Sequence, residues 1–306
     1  MESTTFLACA FHHHHPYEMH EKGIRVNDQE LQQLQVIARN IRRETIDEIG
    51  HLGVGHIGGA LSVVDILTLL YFRLMEHIDP ENPRKEGRDK LVLSKGHAGP
   101  ALYAVLAERG YFPKEWLLTL NQGGTNLPSH CDMNRTPGID FTTGSLGQGS
   151  SAAAGIALAD KLKNSSAYTY LIIGDGESQE GQIWEMAMFS AQYKLNNLIA
   201  FTDYNKLQID GSTCDIIDLG DIEQKWRGFG WFVQRVNGHD IQALEQAVLQ
   251  AKAQSEQPSM IICDTIKAKG FSGAEGLASS HNMAYDSQVA KKIIQELMAD
   301  DEGVRS

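Results

Sequence analysis

The stretch LIIGDGESQEG, residues 171–181, sets a carboxylate between two glycines where an apolar run stops. Asp175 and Glu177 in such a place are either solvated turn residues or, for Asp175, the first ligand of a metal-bound phosphate. A second polar group bears on the choice, because NKLQIDG at 205–211 also follows an apolar run and opens on Asn205. If the two runs are parallel strands joined through one helix, a right-handed crossover brings Asp175 and Asn205 out at the same carboxyl edge. A carboxylate, an amide oxygen and a nearby main-chain carbonyl make a hard oxygen set, which suits Mg²⁺ or Ca²⁺ better than zinc. So few protein ligands leave coordination positions for phosphate oxygens. Gly174 and Gly176 let the backbone approach a diphosphate closely, and the start of the following helix offers free N–H groups.

The elements that must position these residues are legible as alternating patterns. DQELQQLQVIARNIRRETIDEIG repeats apolar residues at helical spacing, with Asn27 or Asp28 as cap and Gly50 as the stop. LSVVDILTLLYFRLM is apolar nearly all round and reads as a buried helix, KLVLS as a short strand, and GPALYAVLAERG as a helix ended by Gly110. SSAAAGIALADKLK, AYTYLIIG, IWEMAMFSAQYK and NLIAFTDYN then read helix, strand, helix, strand; WFVQRVNG, IQALEQAVLQAKAQ and SMIICDTIK follow as strand, helix, strand. Near-continuously apolar strands alternating with helices indicate an α/β fold, a doubly wound and mostly parallel sheet with helices on both faces. The last thirty or so residues read as a loop and one terminal helix.

Composition narrows the function. The 306 residues carry a formal net charge of −12, which argues against a nucleic-acid or anionic-membrane surface while leaving local anion sites open. Cys9, Cys131, Cys214 and Cys263 are widely spaced without a C-x-x-C pair, so they are expected to be reduced thiols in a cytoplasmic protein. No run reaches membrane-spanning length. MESTTFLACAF lacks the positive region of a signal peptide, and the tract His12 to His15 reads as leader or expression remnant. Residues 1–25 are therefore expected to be a disordered leader, and 26–306 one cofactor-binding domain with a terminal helix.

The motifs GHIGGALSVVDIL, LVLSKGHAGPALYA, PSHCDMNRTPGIDFTTGSLGQG, GDGESQEG and DYNKLQIDG stand in the order of the amino-terminal half of transketolase. The chain resembles that family from about residue 30 to 270, and with it the thiamine diphosphate-binding fold. The resemblance implies that Asp175, Asn205 and the main-chain oxygen of Leu207 hold the metal of thiamine diphosphate. It implies that His56, His97, His130 and, in SSHN, His281 line the cofactor and sugar pocket, with His97 and His281 also beside the cofactor. Gly144, Ser145 and Leu146 are expected beside its aminopyrimidine ring, and Gly174, Gly176 and Glu180 around the diphosphate motif, Glu180 being either a solvated turn carboxylate or part of an acidic network facing a partner chain. The implied reaction moves a two-carbon ketol unit from a ketose to an aldose, usually as sugar phosphates.

What the resemblance leaves out implies a partner. The family's pyrimidine-binding half, with its activating glutamate and its phosphate-gripping arginines, has no counterpart here. The expectation is that a separate carboxyl-terminal subunit supplies it, in a heterotetramer of two copies of each chain. Ile57 stands where proline commonly follows this histidine, PSHCD replaces the usual Pro-Gly-His-Pro-Glu, and Ser145 replaces a proline. These departures open the way to a modified or branched sugar. Competing readings are the E1 α chain of a 2-oxo acid dehydrogenase, a deoxyxylulose-phosphate synthase and a noncatalytic cofactor-binding module; SKGHAGPALYA and NKLQIDG favour transketolase over the other enzymes. A magnesium phosphotransferase finds no P-loop.

Overall fold

The computed structural model describes residues 25–304. Most of the expected leader, with the histidine tract and Cys9, lies outside the described residues. In chain order the elements are α1 (Asp28–Leu52), β1 (Val54–Gly55), α2 (Ile57–Leu61), α3 (Val64–Leu69), β2 (Lys90–Leu93), α4 (Gly99–Glu108), α5 (Gln148–Leu162), β3 (Thr169–Gly174) and α6 (Gly181–Gln192). They continue with β4 (Leu198–Tyr204), β5 (Leu207–Gln208), β6 (Gly211–Ser212), α7 (Thr213–Ile216), α8 (Ile222–Gly228), β7 (Phe232–Asn237), α9 (Ile241–Lys252), β8 (Ser259–Asp264), β9 (Met283–Ala284) and α10 (Ser287–Val304).

Five strands form one parallel sheet in the order β2-β3-β4-β8-β7. Their side chains alternate between two buried cores, as the pleat requires. Tyr170, Ile172, Ile199 and Phe201 face one side with residues of α1, α3, α4 and α9. Leu171, Ile173, Leu198 and Ala200 face the other with Ala153 of α5, Ile183 of α6 and Trp226 of α8. Helices thus cover both faces, and the carboxyl ends of β2, β3, β4 and β8 share one edge.

Three boundaries differ from the sequence reading. α1 is capped at its start by Asn27, whose side chain accepts from the Glu30 N–H, and it runs past Gly50 to Leu52. The stop is Gly53, at φ +96° in the left-handed region that glycine adopts without steric cost. The apolar run at 61–75 is not one helix: α2 ends inside it, α3 follows, and Leu70–Leu74 closes it as a π turn. The segment between β4 and β7, unread in the sequence, folds as the β5–β6 hairpin followed by α7 and α8. Among the described residues, no helix is long and apolar enough to cross a membrane.

Candidate active site

Asp175 follows β3 and Asn205 follows β4, and these strands are direct neighbours in parallel register, with Gly174 opposite Asp203. The chain order alone therefore carries both side chains to one place. A cavity of about 360 Å³ opens there at the carboxyl edge, and Gly174, Asp175, Gly176, Asn205 and Leu207 all line it. Asp175 is 2% exposed. One carboxylate oxygen accepts from the Gly176 N–H at 2.7 Å and the other from the Lys206 N–H. Asn205 Oδ1 accepts from the Leu207 N–H at 3.0 Å, and the Leu207 carbonyl accepts from Lys267 Nζ at 3.0 Å. Each oxygen keeps lone-pair capacity after these bonds.

Electrostatics favour a cation in this place. Burial, reinforced by the charge of Asp203, pushes the Asp175 carboxyl up to about 7. A divalent cation beside it offsets both effects, whereas an anionic diphosphate alone would aggravate them. The donors are hard oxygens without sulfur or imidazole, so the residues present fit Mg²⁺ or Ca²⁺ with an attached diphosphate.

Four imidazoles line the same cavity. His56 lies 5.4 Å from His97, 5.7 Å from His130 and 5.5 Å from His281 between ring centroids, and His97 lies 5.0 Å from His281. Separate elements deliver them. His97 sits in the 3₁₀ turn leading into α4, and His281 ends the turn Ala278–His281. His56 precedes α2, where the β1–β9 ladder pairs Gly55 with Met283 and so ties the His56 and His281 segments together. All four are shifted toward the neutral form. Burial is the first cause for each, and nearby cations add to it at three: Lys95 at His97, Lys267 at His56 and at His281, which falls to about 3.

The remaining expected residues divide. Gly144 and Leu146 line the cavity, Gly144 backing onto His130. Ser145 does not line it; its residue is exposed in the loop. Glu180 lines the mouth and is exposed, at the start of α6. Glu177 is no solvated turn residue: it is 2% exposed and accepts from Ser94 Oγ at 2.5 Å, the Gly147 N–H at 2.8 Å and the Gly174 N–H at 3.0 Å. It thus ties the loop before α5 to the end of β3.

Three functional residues escaped the sequence reading. Lys95, 2% exposed, ion-pairs with buried Asp203 at 2.5 Å and donates to the Gly59 carbonyl at 2.7 Å. Burial opposes the charge of Asp203, but Lys95, Thr265 and Ser62 together hold its carboxyl below the ordinary range. Asp203 also accepts from Asn205 Nδ2 at 3.0 Å, which fixes the amide with Oδ1 as its accepting end, bonded to the Leu207 N–H. Lys267 reaches the Leu207 carbonyl and His281 Nδ1 at 3.2 Å, and burial lowers it to about 8. A signal existed for both lysines, in SKGH and TIKAKG directly after apolar strands.

Comparison with known proteins converges on the same region. Residues 33–302 match the family model described as transketolase, thiamine diphosphate binding domain. The chain is 58% identical over 264 residues to the 6-deoxy-6-sulfo-D-fructose transketolase subunit SqwG of Clostridium sp. (strain MSTE9), covering 86% of this chain and 96% of that protein. It is 35% identical to an apulose-4-phosphate transketolase subunit of Phocaeicola vulgatus, covering 88% of this chain and 95% of that protein. Among solved structures, transketolase from Campylobacter jejuni superposes with a TM-score of 0.82 at 33% identity, over 87% of this chain and 43% of that one.

Proposed function

This chain belongs to the transketolase family through its thiamine diphosphate-binding domain, and on that premise we propose that it is the diphosphate-clamping subunit of a two-chain transketolase. The reaction is transfer of a two-carbon ketol unit from a ketose to an aldose. The observation that carries the reading is the meeting, in one cavity, of Asp175, Asn205 and Leu207 with four neutral imidazoles.

Asp175, Asn205 and the Leu207 carbonyl would hold the cation, Mg²⁺ or Ca²⁺, that fastens the diphosphate. Thiamine diphosphate, when bound, supplies the nucleophilic carbon that takes up the two-carbon unit and passes it on. The chain's own residues then position and move protons. His97, together with the Lys95 and Lys267 cations, faces the diphosphate side. His56, His130 and His281 bind substrate hydroxyls and steady the oxygen on which negative charge develops. A neutral imidazole has one N–H donor and one acceptor nitrogen, so each ring can donate to one oxygen and accept a proton at its other nitrogen, carrying a positive charge until that proton is returned. The loop of Gly144, Ser145 and Leu146 borders the aminopyrimidine ring.

A separate pyrimidine-binding chain completes the site, with two copies of each in the assembly. Two features support it: relatives named as transketolase subunits are matched over nearly their whole length, and α6 leaves Met188 and Phe189 exposed with Tyr193 just beyond its end, as a large apolar interface needs. Glu180, on the same helix at the cavity mouth, faces this partner. Free thiols at Cys131, Cys214 and Cys263 suit a cytoplasmic enzyme. The named relative points to a ketohexose altered at its far carbon, 6-deoxy-6-sulfo-D-fructose, as the donor to try first.

The test is reconstitution. Ketol transfer from that donor to an aldose phosphate is expected only with both chains, thiamine diphosphate and a divalent cation present. Asp175→Ala is expected to weaken cofactor binding by roughly 100-fold in calorimetry. Normal cofactor binding by that variant, or turnover by the isolated chain, contradicts the proposal.

A further inference from the structure

Lys267 reaches both the Leu207 carbonyl and His281, and its own backbone is fixed from both sides. After it, buried Ala268 adopts φ +58°, a left-handed conformation that a residue with a Cβ holds only where its surroundings over-determine it. The Ala268 N–H donates to the Gly58 carbonyl at 2.9 Å, and the Lys267 carbonyl accepts from the Gly276 N–H at 2.8 Å. Before it, the Ile266 N–H donates to Nε2 of His239 at 2.9 Å. A side chain, not a strand, thus receives the main-chain N–H just ahead of Lys267.

His239 comes from a distant part of the chain, the NGHD turn between β7 and α9. Its own N–H donates to Asn237 Oδ1 at 3.0 Å, and the Gly238 N–H donates to the Asp264 carbonyl at 2.8 Å. A Cβ on Gly238 would come 2.4 Å from Thr265 Cγ2, so glycine lets the turn lie against the end of β8 and brings the imidazole to Ile266. The other ring nitrogen, Nδ1, lies 2.7 Å from Asp65 Oδ2. Asp65 is buried in α3 and also accepts from both terminal nitrogens of buried Arg42, at 3.1 and 2.5 Å. Burial opposes its charge, but Arg42 and His239 hold its carboxyl at about 2, so it serves as an acceptor only.

These contacts leave one tautomer. Nε2 accepts a hydrogen bond and so carries no proton, whereas Nδ1 carries the proton and donates it to Asp65. Arg42, Asp65 and His239 all lie outside the lining of the large cavity. We infer that His239 is a positioning residue of the active site, which holds Ile266 and thereby sets Lys267 against the Leu207 carbonyl and His281. The inference rests on reading that cavity as the cofactor clamp, since the placement of Lys267 bears on ligand binding only there.

Two substitutions of similar shape separate this role from a merely structural one. In His239→Gln the side-chain carbonyl reaches the place of Nε2 and accepts from Ile266, while the bond to Asp65 is lost. In His239→Asn the amide N–H reaches the place of Nδ1 and keeps Asp65, while Ile266 loses its acceptor. In the reconstituted complex with Mg²⁺, calorimetry should find the Kd for thiamine diphosphate raised about tenfold by His239→Asn and within about twofold of wild type for His239→Gln. The effect of His239→Asn should vanish in a Lys267→Met background, where no ammonium is left to position. NMR on the full chain should find the wild-type ring proton on Nδ1, and the Ile266 amide should exchange with solvent faster in His239→Asn than in His239→Gln. A ring proton on Nε2, wild-type affinity in His239→Asn, equal weakening by both substitutions, or an effect undiminished without Lys267 overturns the inference and leaves the clamp reading standing. A wild-type complex that does not bind thiamine diphosphate sinks both.

Discussion

His281 illustrates how one side chain in this site is governed by its surroundings. Burial and the Lys267 ammonium hold its pKa at about 3, against an ordinary 6.5. A histidine whose folded pKa is depressed takes up its proton more readily when unfolded. Its contribution to stability is therefore fully present above about pH 6.5 and is lost as pH falls toward 3. Histidine NMR on the folded chain should find this ring neutral at pH 5; titration near 6.5 would mean that the ring is not packed against Lys267. The four histidines could be named from sequence only through the motifs that resemble the family, GHIGGALSVVDIL, SKGHAGPALYA, PSHCD and SSHN, because a histidine beside glycines is by itself an ordinary turn residue. Lys95 and Lys267 carried only the weak signal of standing after apolar strands, and Asp203 none, since lysine and aspartate are mostly surface residues and only the fold shows these three buried. Glu177, read from sequence as a solvated turn residue, shows the same limit: its three donors come from three separate segments.

At the scale of elements, periodicity located the five main strands and the long helices that cover them, because each buries an apolar face over several residues. Their order in the sheet was another matter. β8 lies between β4 and β7, although β7 comes first in the chain, and no local pattern records that choice. The two-residue pairs β1–β9 and β5–β6 are too short for any period, yet the first joins the His56 and His281 segments and the second carries Leu207. Glycines were ambiguous in a similar way. Gly50 looked like the end of α1, but it lies inside the helix where α10 crosses. A Cβ there would come 2.6 Å from Ala290 Cβ and 3.0 Å from the Tyr285 ring, so the glycine serves close packing. Gly50→Val is expected to cost about 1–3 kcal/mol in denaturant unfolding. An unchanged midpoint would show that α1 and α10 do not pack this closely.

For the molecule as a whole, the parallel sheet gathers on one edge what the chain distributes from His56 to His281. A carboxylate, an amide, a carbonyl and four imidazoles line one cavity, with Lys267 joining the Leu207 carbonyl to His281 and the buried Lys95–Asp203 pair fixing the amide. The most direct measurement is a crystal structure of the reconstituted complex grown with thiamine diphosphate and Mn²⁺, read through the anomalous signal of the metal. The account expects one peak bonded to Asp175, Asn205 Oδ1 and the Leu207 carbonyl oxygen, with the diphosphate completing its coordination. Cofactor bound with the metal elsewhere, or held with no metal at those three oxygens, would contradict it.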